Sequence, residues 1–159
     1  MTDPDDPGGP GALPRVSVAN EQRLPVDVER VARFARDALD LAGVPAGHAL
    51  SVALVSPARI AELKGRYFGR AHATDVLSFP MDPLDAPAPA TLGDVVICVE
   101  VARRQARGLG LDLARELEHL LAHGILHLAG HDHADVDGEL RMAAEERRIL
   151  GRAAVVASR

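Results

Sequence analysis

Residues 112–133 read DLARELEHLLAHGILHLAGHDH. Asp112 supplies a side-chain cap, Gly130 a stop, and the spacing predicts a helix from 113 to about 128. Five of the seven histidines of the chain fall between 119 and 133: His119, His123, His127, His131 and His133. Even spacing would put fewer than one there. A set of unrelated surface or core histidines is the weaker reading of such a cluster.

Helix geometry selects among the five. Residues four apart differ by about 40° in direction and about 6 Å in height, so two such imidazoles can reach one ion. Residues eight apart are separated by about 12 Å along the axis. Zinc bonds histidine nitrogens at ~2.0–2.1 Å, so one ion cannot take His119, His123 and His127 together. The pair is His119/His123 or His123/His127. The second has the better third partner, because the chain can turn after Gly130 and present His133, with His131 as a weaker competitor. His119 is then a packing residue or supports a ligand.

Three imidazoles leave a tetrahedral zinc one position for water, the pattern of catalytic rather than structural sites. Water so bound can drop to a pKa of ~7 and supply hydroxide. Histidine triads also suit copper, nickel or iron; the lack of sulfur and carboxylate ligands favours one Zn2+ per chain. Gly124 follows His123, where HExxH proteases keep a glutamate base, so proteolysis is disfavoured. A mid-helix glycine costs up to ~1 kcal/mol against alanine, which implies close approach of substrate or a neighbouring strand.

Outward from this helix, RVSVAN (15–20), ALSVALVS (49–56), TDVLSFP (74–80) and GDVVICVE (93–100) read as strands. Helices are expected over 26–42, over 57 to about 67 behind a Ser56-Pro57 start, over 101–107, and over 135–150. One connection is too short for a parallel crossover. The expectation is an α/β (α+β) fold, a mixed four-stranded sheet packed with about five helices. The 159 residues suit one domain over 15–151. The acidic, Pro/Gly-rich residues 1–14 form a disordered extension, and 152–159 a frayed tail.

Net charge is −5, which disfavours a protein that coats nucleic acid by bulk positive charge. The single cysteine, Cys98, fits a reducing cytosol and reads as a buried hydrophobe within VVICV. Neither a membrane-length apolar run nor a signal peptide is evident, so the expected location is the cytoplasm.

HGILHLAGHDH (123–133) closely resembles the histidine signature of the YbeY family of bacterial endoribonucleases, with His131 where tyrosine is usual. TDVLSFP (74–80), LGDVVICVEVARRQA (92–106) and the pattern Met142, Glu145, Glu146, Ile149, Leu150 are similar to other blocks of that family. The resemblance implies a compact α/β fold with the metal helix at its centre and His123, His127 and His133 as ligands. It implies a cytoplasmic hydrolase cutting single-stranded RNA, with rRNA and the small ribosomal subunit as partners. Its work would be 16S rRNA 3'-end maturation and ribosome quality control, with no DNA substrate. The family carries a functional arginine in a Tyr-Arg-Gly stretch; here Tyr67-Phe68-Gly69 stands, and Arg66 and Arg70 flank Phe68 as possible substitutes.

A phosphodiester needs cations near the metal. Arg59, Lys64, Arg66 and Arg70 form one cluster, with Arg59, Lys64 and Arg70 as candidate phosphate binders. Arg103, Arg104, Arg107 and Arg115 form a second. Tyr67, Phe68 and Phe79 could stack bases. Asp75 and Asp132 are candidates to orient a histidine or water. Ser78 lacks a matched base and is read as structural. Two other classes compete: a metallohydrolase of peptides or small amides, and a non-catalytic ribosome assembly factor whose metal only stabilises the fold. Oligomeric state is not legible.

Overall fold

A computed structural model describes residues 14–131 and 135–157. All but Pro14 of the expected N-terminal extension, residues 132–134 with the candidates Asp132 and His133, and the last two residues lie outside that range. The elements run β1 (Val16–Asn20), α1 (Val28–Leu41), β2 (His48–Val55), α2 (Pro57–Phe68), β3 (Val76–Pro80), β4 (Ala90–Cys98), α3 (Val99–Leu109), α4 (Leu113–Leu128) and α5 (Val136–Ala157). The sheet order is β1-β2-β4-β3. β1, β2 and β4 are parallel, and β3 pairs antiparallel with β4 through the short connection 81–89. The expected mixed sheet with five helices is what forms.

Caps place the helices as the residues dictate. Asp27, Ser56 and Asp112 each accept a hydrogen bond from the backbone N–H three residues on. Gly69 ends α2 at φ +76°, a left-handed conformation that glycine adopts without strain.

Several boundaries shift by a residue or two, β3 for one beginning at Val76 rather than at 74, and three shifts have a visible cause. β4 begins three residues early, because Ala90 already pairs with His48, and it passes directly into α3 at Val99. The buried stripe Val99, Ala102, Ala106 has helical spacing, which explains why the chain coils before residue 101. At the C-terminus, α5 does not stop near 150. It continues through Gly151 to Ala157, because Ala153 extends by one turn the buried face begun by Met142 and Ile149. The tail expected to fray from 152 is helical as far as Ala157.

The two faces of the sheet carry separate cores. Leu50, Val52, Leu54, Val95 and Ile97 point to the side covered by α1, α4 and α5. Val55, Leu77, Val96 and Cys98 point to the other, where Ile60 and Leu63 of α2 cover them. Strand alternation makes this division. Where α4 crosses the sheet, Gly124 is the contact. A Cβ there would stand 2.8 and 3.0 Å from the Val95 methyls and 3.2 Å from Ser78 Oγ. The close approach expected at this glycine comes from the sheet.

Gly124→Ala is therefore expected to lower stability by about 1–2 kcal/mol, crowding outweighing the ~1 kcal/mol helix-propensity gain. In a Val95→Ala background, which removes the two obstructing methyls, the same substitution is expected to be neutral or stabilising. Urea denaturation of the four chains measures the coupling; additive effects would refute the contact.

Candidate active site

Three histidines lie along one flank of α4. His123 and His127 are brought together, their ring centroids 4.7 Å apart at 75°. Glu146 of α5 reaches across, and its Oε1 accepts from His123 Nδ1 at 2.5 Å. Its other oxygen is 3.4 Å from His119 Nε2. His119 Nδ1 in turn faces Glu116 Oε1 at 3.3 Å. One chain of contacts thus runs Glu116–His119–Glu146–His123. Glu116 is only 2% exposed, and its Oε2 is buried with no hydrogen-bond partner among the described residues.

This arrangement sets the electrostatics. Burial alone would raise the Glu146 carboxyl, but hydrogen bonds to His119 and then His123 outweigh it and lower it from 4.5 to about 2. The same contact with Glu146, opposed by burial and aided by Glu116, raises His119 above its ordinary 6.5. Glu146 is thus an anion at any physiological pH. It fixes His123 through Nδ1, which directs Nε2 toward any bound ligand.

The donor chemistry of His123 and His127 suits a metal. Two adjacent imidazoles, one of them oriented by a carboxylate, are typical of a histidine-ligated ion. The expected third ligand, His133, lies outside the described residues, and among the described residues no three His, Cys, Asp or Glu side chains converge for an ion.

The other candidates are dispersed. Arg59 pairs with Glu62 at 3.0 Å. Lys64 Nζ donates to His72 Nε2 at 2.9 Å. Arg66, in the last turn of α2, and Arg70, just past Gly69, are exposed. Asp75 accepts from Val76 N–H at 2.8 Å and from Gln105 Nε2 at 3.3 Å, so its carboxylate anchors β3 to α3. Ser78 Oγ donates to the Gly124 carbonyl at 3.3 Å, a structural bond between β3 and α4. Cys98 is buried, and burial pushes its thiol up. No described helix is long and apolar enough to cross a membrane.

The sequence profile of the Endoribonuclease YbeY family matches residues 17–154. The chain belongs to the YbeY family. It is 45% identical over 141 residues to the Endoribonuclease YbeY of Thermobifida fusca, covering 85% of this chain and 91% of that one. Identity to the Salinispora tropica protein of the same name is 44%, covering 85% and 93%. For that of Acidothermus cellulolyticus it is 43%, covering 85% and 88%. A solution structure of a Thermotoga maritima protein superposes with a TM-score of 0.60 at 24% identity, over 84% of this chain and 87% of that one, which shows a shared fold. As a YbeY family member the chain is an endoribonuclease.

Sequence reasoning assigned no role to Glu146 or Glu116 in this YbeY chain. A signal existed for both. Glu146 falls on the stripe Met142, Ile149, Ala153, and Glu116 adjoins Leu117 and precedes Leu120 by one turn. A carboxylate on the apolar face of an amphipathic helix is expensive unless it is paired.

In chelator-treated protein, NMR titration should place His119 above 6.5, and Glu146→Gln should bring it back toward that value. The raised pKa contributes stability that is complete below pH 6.5 and lost as pH rises through the folded His119 value. The stability gap between parent and variant should therefore narrow above pH 6.5. An unmoved His119 titration in the variant would refute the pairing.

Proposed function

We propose that the chain is a zinc-dependent endoribonuclease specific for single strands, holding one Zn2+ through His123, His127 and His133. Its substrate is small-subunit ribosomal RNA, cut in maturation of the 16S 3' end and in ribosome quality control, in the cytoplasm. The reading rests on one observation above others: adjacent His123 and His127 rings, with His123 Nδ1 held by the anionic Glu146.

When bound, zinc supplies Lewis acidity and a nucleophile at neutral pH. The chain's own groups do the rest. His123 and His127 offer adjacent imidazole rings. Glu146 takes the Nδ1 proton of His123 in a hydrogen bond, which fixes tautomer and ring plane. His119, shared between Glu116 and Glu146, holds that carboxylate in place. Arg66 and Arg70 offer exposed guanidinium groups for phosphate, where charge grows during cleavage.

Protein purified without a histidine tag is expected to carry one equivalent of zinc and to cut single-stranded RNA, leaving duplex RNA and DNA of the same sequence intact. His127→Ala should abolish both metal and cleavage while the fold persists by circular dichroism. RNA cleavage that survives in metal-free His127→Ala protein would overturn the metal mechanism; peptide cleavage alone, or ribosome binding alone, would support the competing classes. Competition titration should show zinc bound about 10- to 100-fold more weakly in Glu146→Ala, and unchanged affinity would remove Glu146 from the site.

A further inference from the structure

The chain holds four aromatic residues: one tyrosine, three phenylalanines and no tryptophan. Phe34 is in the main core. The other three meet at one place. Tyr67 lies edge-on to Phe79 with centroids 5.3 Å apart, and Phe68 is tilted against Phe79 at 5.8 Å. Phe79 is half-buried against the α2 face of the sheet, but Tyr67 and Phe68 are 60% and 53% exposed. A fold so poor in rings has left two of them largely in water, at the end of a helix whose core contacts come from Ile60 and Leu63.

The surroundings are cationic. Residues 63–74 contain Lys64, Arg66 and Arg70 and no acid, in a chain of net charge −5. The acids at either end are already engaged, Glu62 with Arg59 and Asp75 with Val76 and Gln105. The loop after Gly69 folds back on the helix: a Cβ on Gly65 would lie 2.8 Å from that of Ala71, and Lys64 is bonded to His72. The patch lies one residue along the edge strand from the histidine helix, on the opposite face of the sheet: Phe79 follows Ser78, whose hydroxyl reaches the carbonyl of Gly124, next to His123.

We propose that Tyr67 and Phe68, backed by Phe79, form a stacking platform for unpaired bases of the RNA strand, whose phosphates run along Lys64, Arg66 and Arg70. The inference rests on the single-strand ribonuclease reading. Rings stack on any base regardless of sequence, and duplex bases are already stacked on one another. Protein interfaces also use arginine and aromatic residues; what favours a polyanion here is a run of three cations with no acid between residues 63 and 74 in an acidic chain.

Tyr67 is the only fluorophore of its class in the chain. With the zinc-loaded full chain, a single-stranded 2'-O-methyl oligouridine, which resists cleavage, should quench Tyr67 emission on binding; an abasic strand of equal length should bind more weakly and not quench. By anisotropy, Phe68→Leu and Tyr67→Leu should each weaken the base-bearing strand about 5- to 100-fold and leave the abasic strand unchanged, with Tyr67→Phe restoring affinity. Arg66→Gln and Arg70→Gln should weaken both strands alike and reduce the salt slope by about one. Equal binding of both strands by the parent, or Leu variants that bind as the parent does, would overturn the platform while RNA cleavage by the parent still upheld the ribonuclease reading. A parent that neither binds nor cuts RNA would overturn both. Self-association lost in the Leu variants, with RNA binding intact, would assign the patch to a second copy of the chain and overturn the proposal.

Discussion

The contact of Gly124 with Val95 and Ser78 is the constraint on which the site depends. It fixes the rotation of α4 against the sheet. At 100° per residue, Leu117, Leu120, Leu121 and Leu128 fall within about 60° of Gly124 and pack into the core beneath the helix. His127, His123 and His119 then lie about 60°, 100° and 140° to one side. All three must emerge on the same side of the helix, His127 and His123 along the flank and His119 nearer the face turned away from the sheet. A larger residue at 124 would lift or turn the helix and re-aim every imidazole together.

That flank is where α5 packs, and the packing is of two kinds. Met142, Ile149 and Ala153 join the common core. Glu146, in the same stripe, meets His119 and His123 instead. Burying a carboxylate costs several kcal/mol unless charge and hydrogen bonds offset it, and two imidazoles do so here. The same contact that makes the buried acid tolerable immobilises the His123 ring. Glu116 shows how far the polar chain reaches: it is buried, and only one of its oxygens is hydrogen-bonded among the described residues. Such local conflicts with core-packing rules mark a region shaped by function rather than by stability alone.

Most of the fold was legible because its signals are local. Ser56 and Asp112 cap where hydroxyl or carboxylate caps belong, and short β-branched runs became strands. Boundaries failed where long-range pairing decides. Ala90 is a strand residue only because His48 lies beside it, and Gly151 stays helical only because Ala153 finds the core. The adjacency of His123 and His127 followed from a four-residue spacing. Their connection to Glu146, twenty-three residues away on another helix, did not, because no local period encodes which helix covers a flank. Asp75 misled in the opposite sense. A carboxylate near a predicted site suggested chemistry, and its partners turned out to be Val76 and Gln105.

The edge strand β3 joins what the sheet would otherwise separate. It is five residues long, pairs only with β4, and ends at Pro80, features that suit an edge and discourage further strand addition. Because successive side chains point to opposite faces, Ser78 meets α4 on one side while Phe79 supports Tyr67 and Phe68 on the other. In an interior strand those faces would be isolated by neighbours on both sides. At an edge they are separated only by the thickness of one chain. A flexible single strand of RNA can cross such an edge; a duplex, whose bases are stacked and paired, bends far less readily. The single-strand specificity proposed above would have a geometric root in the sheet order itself, independent of the identity of any ligand on the histidines.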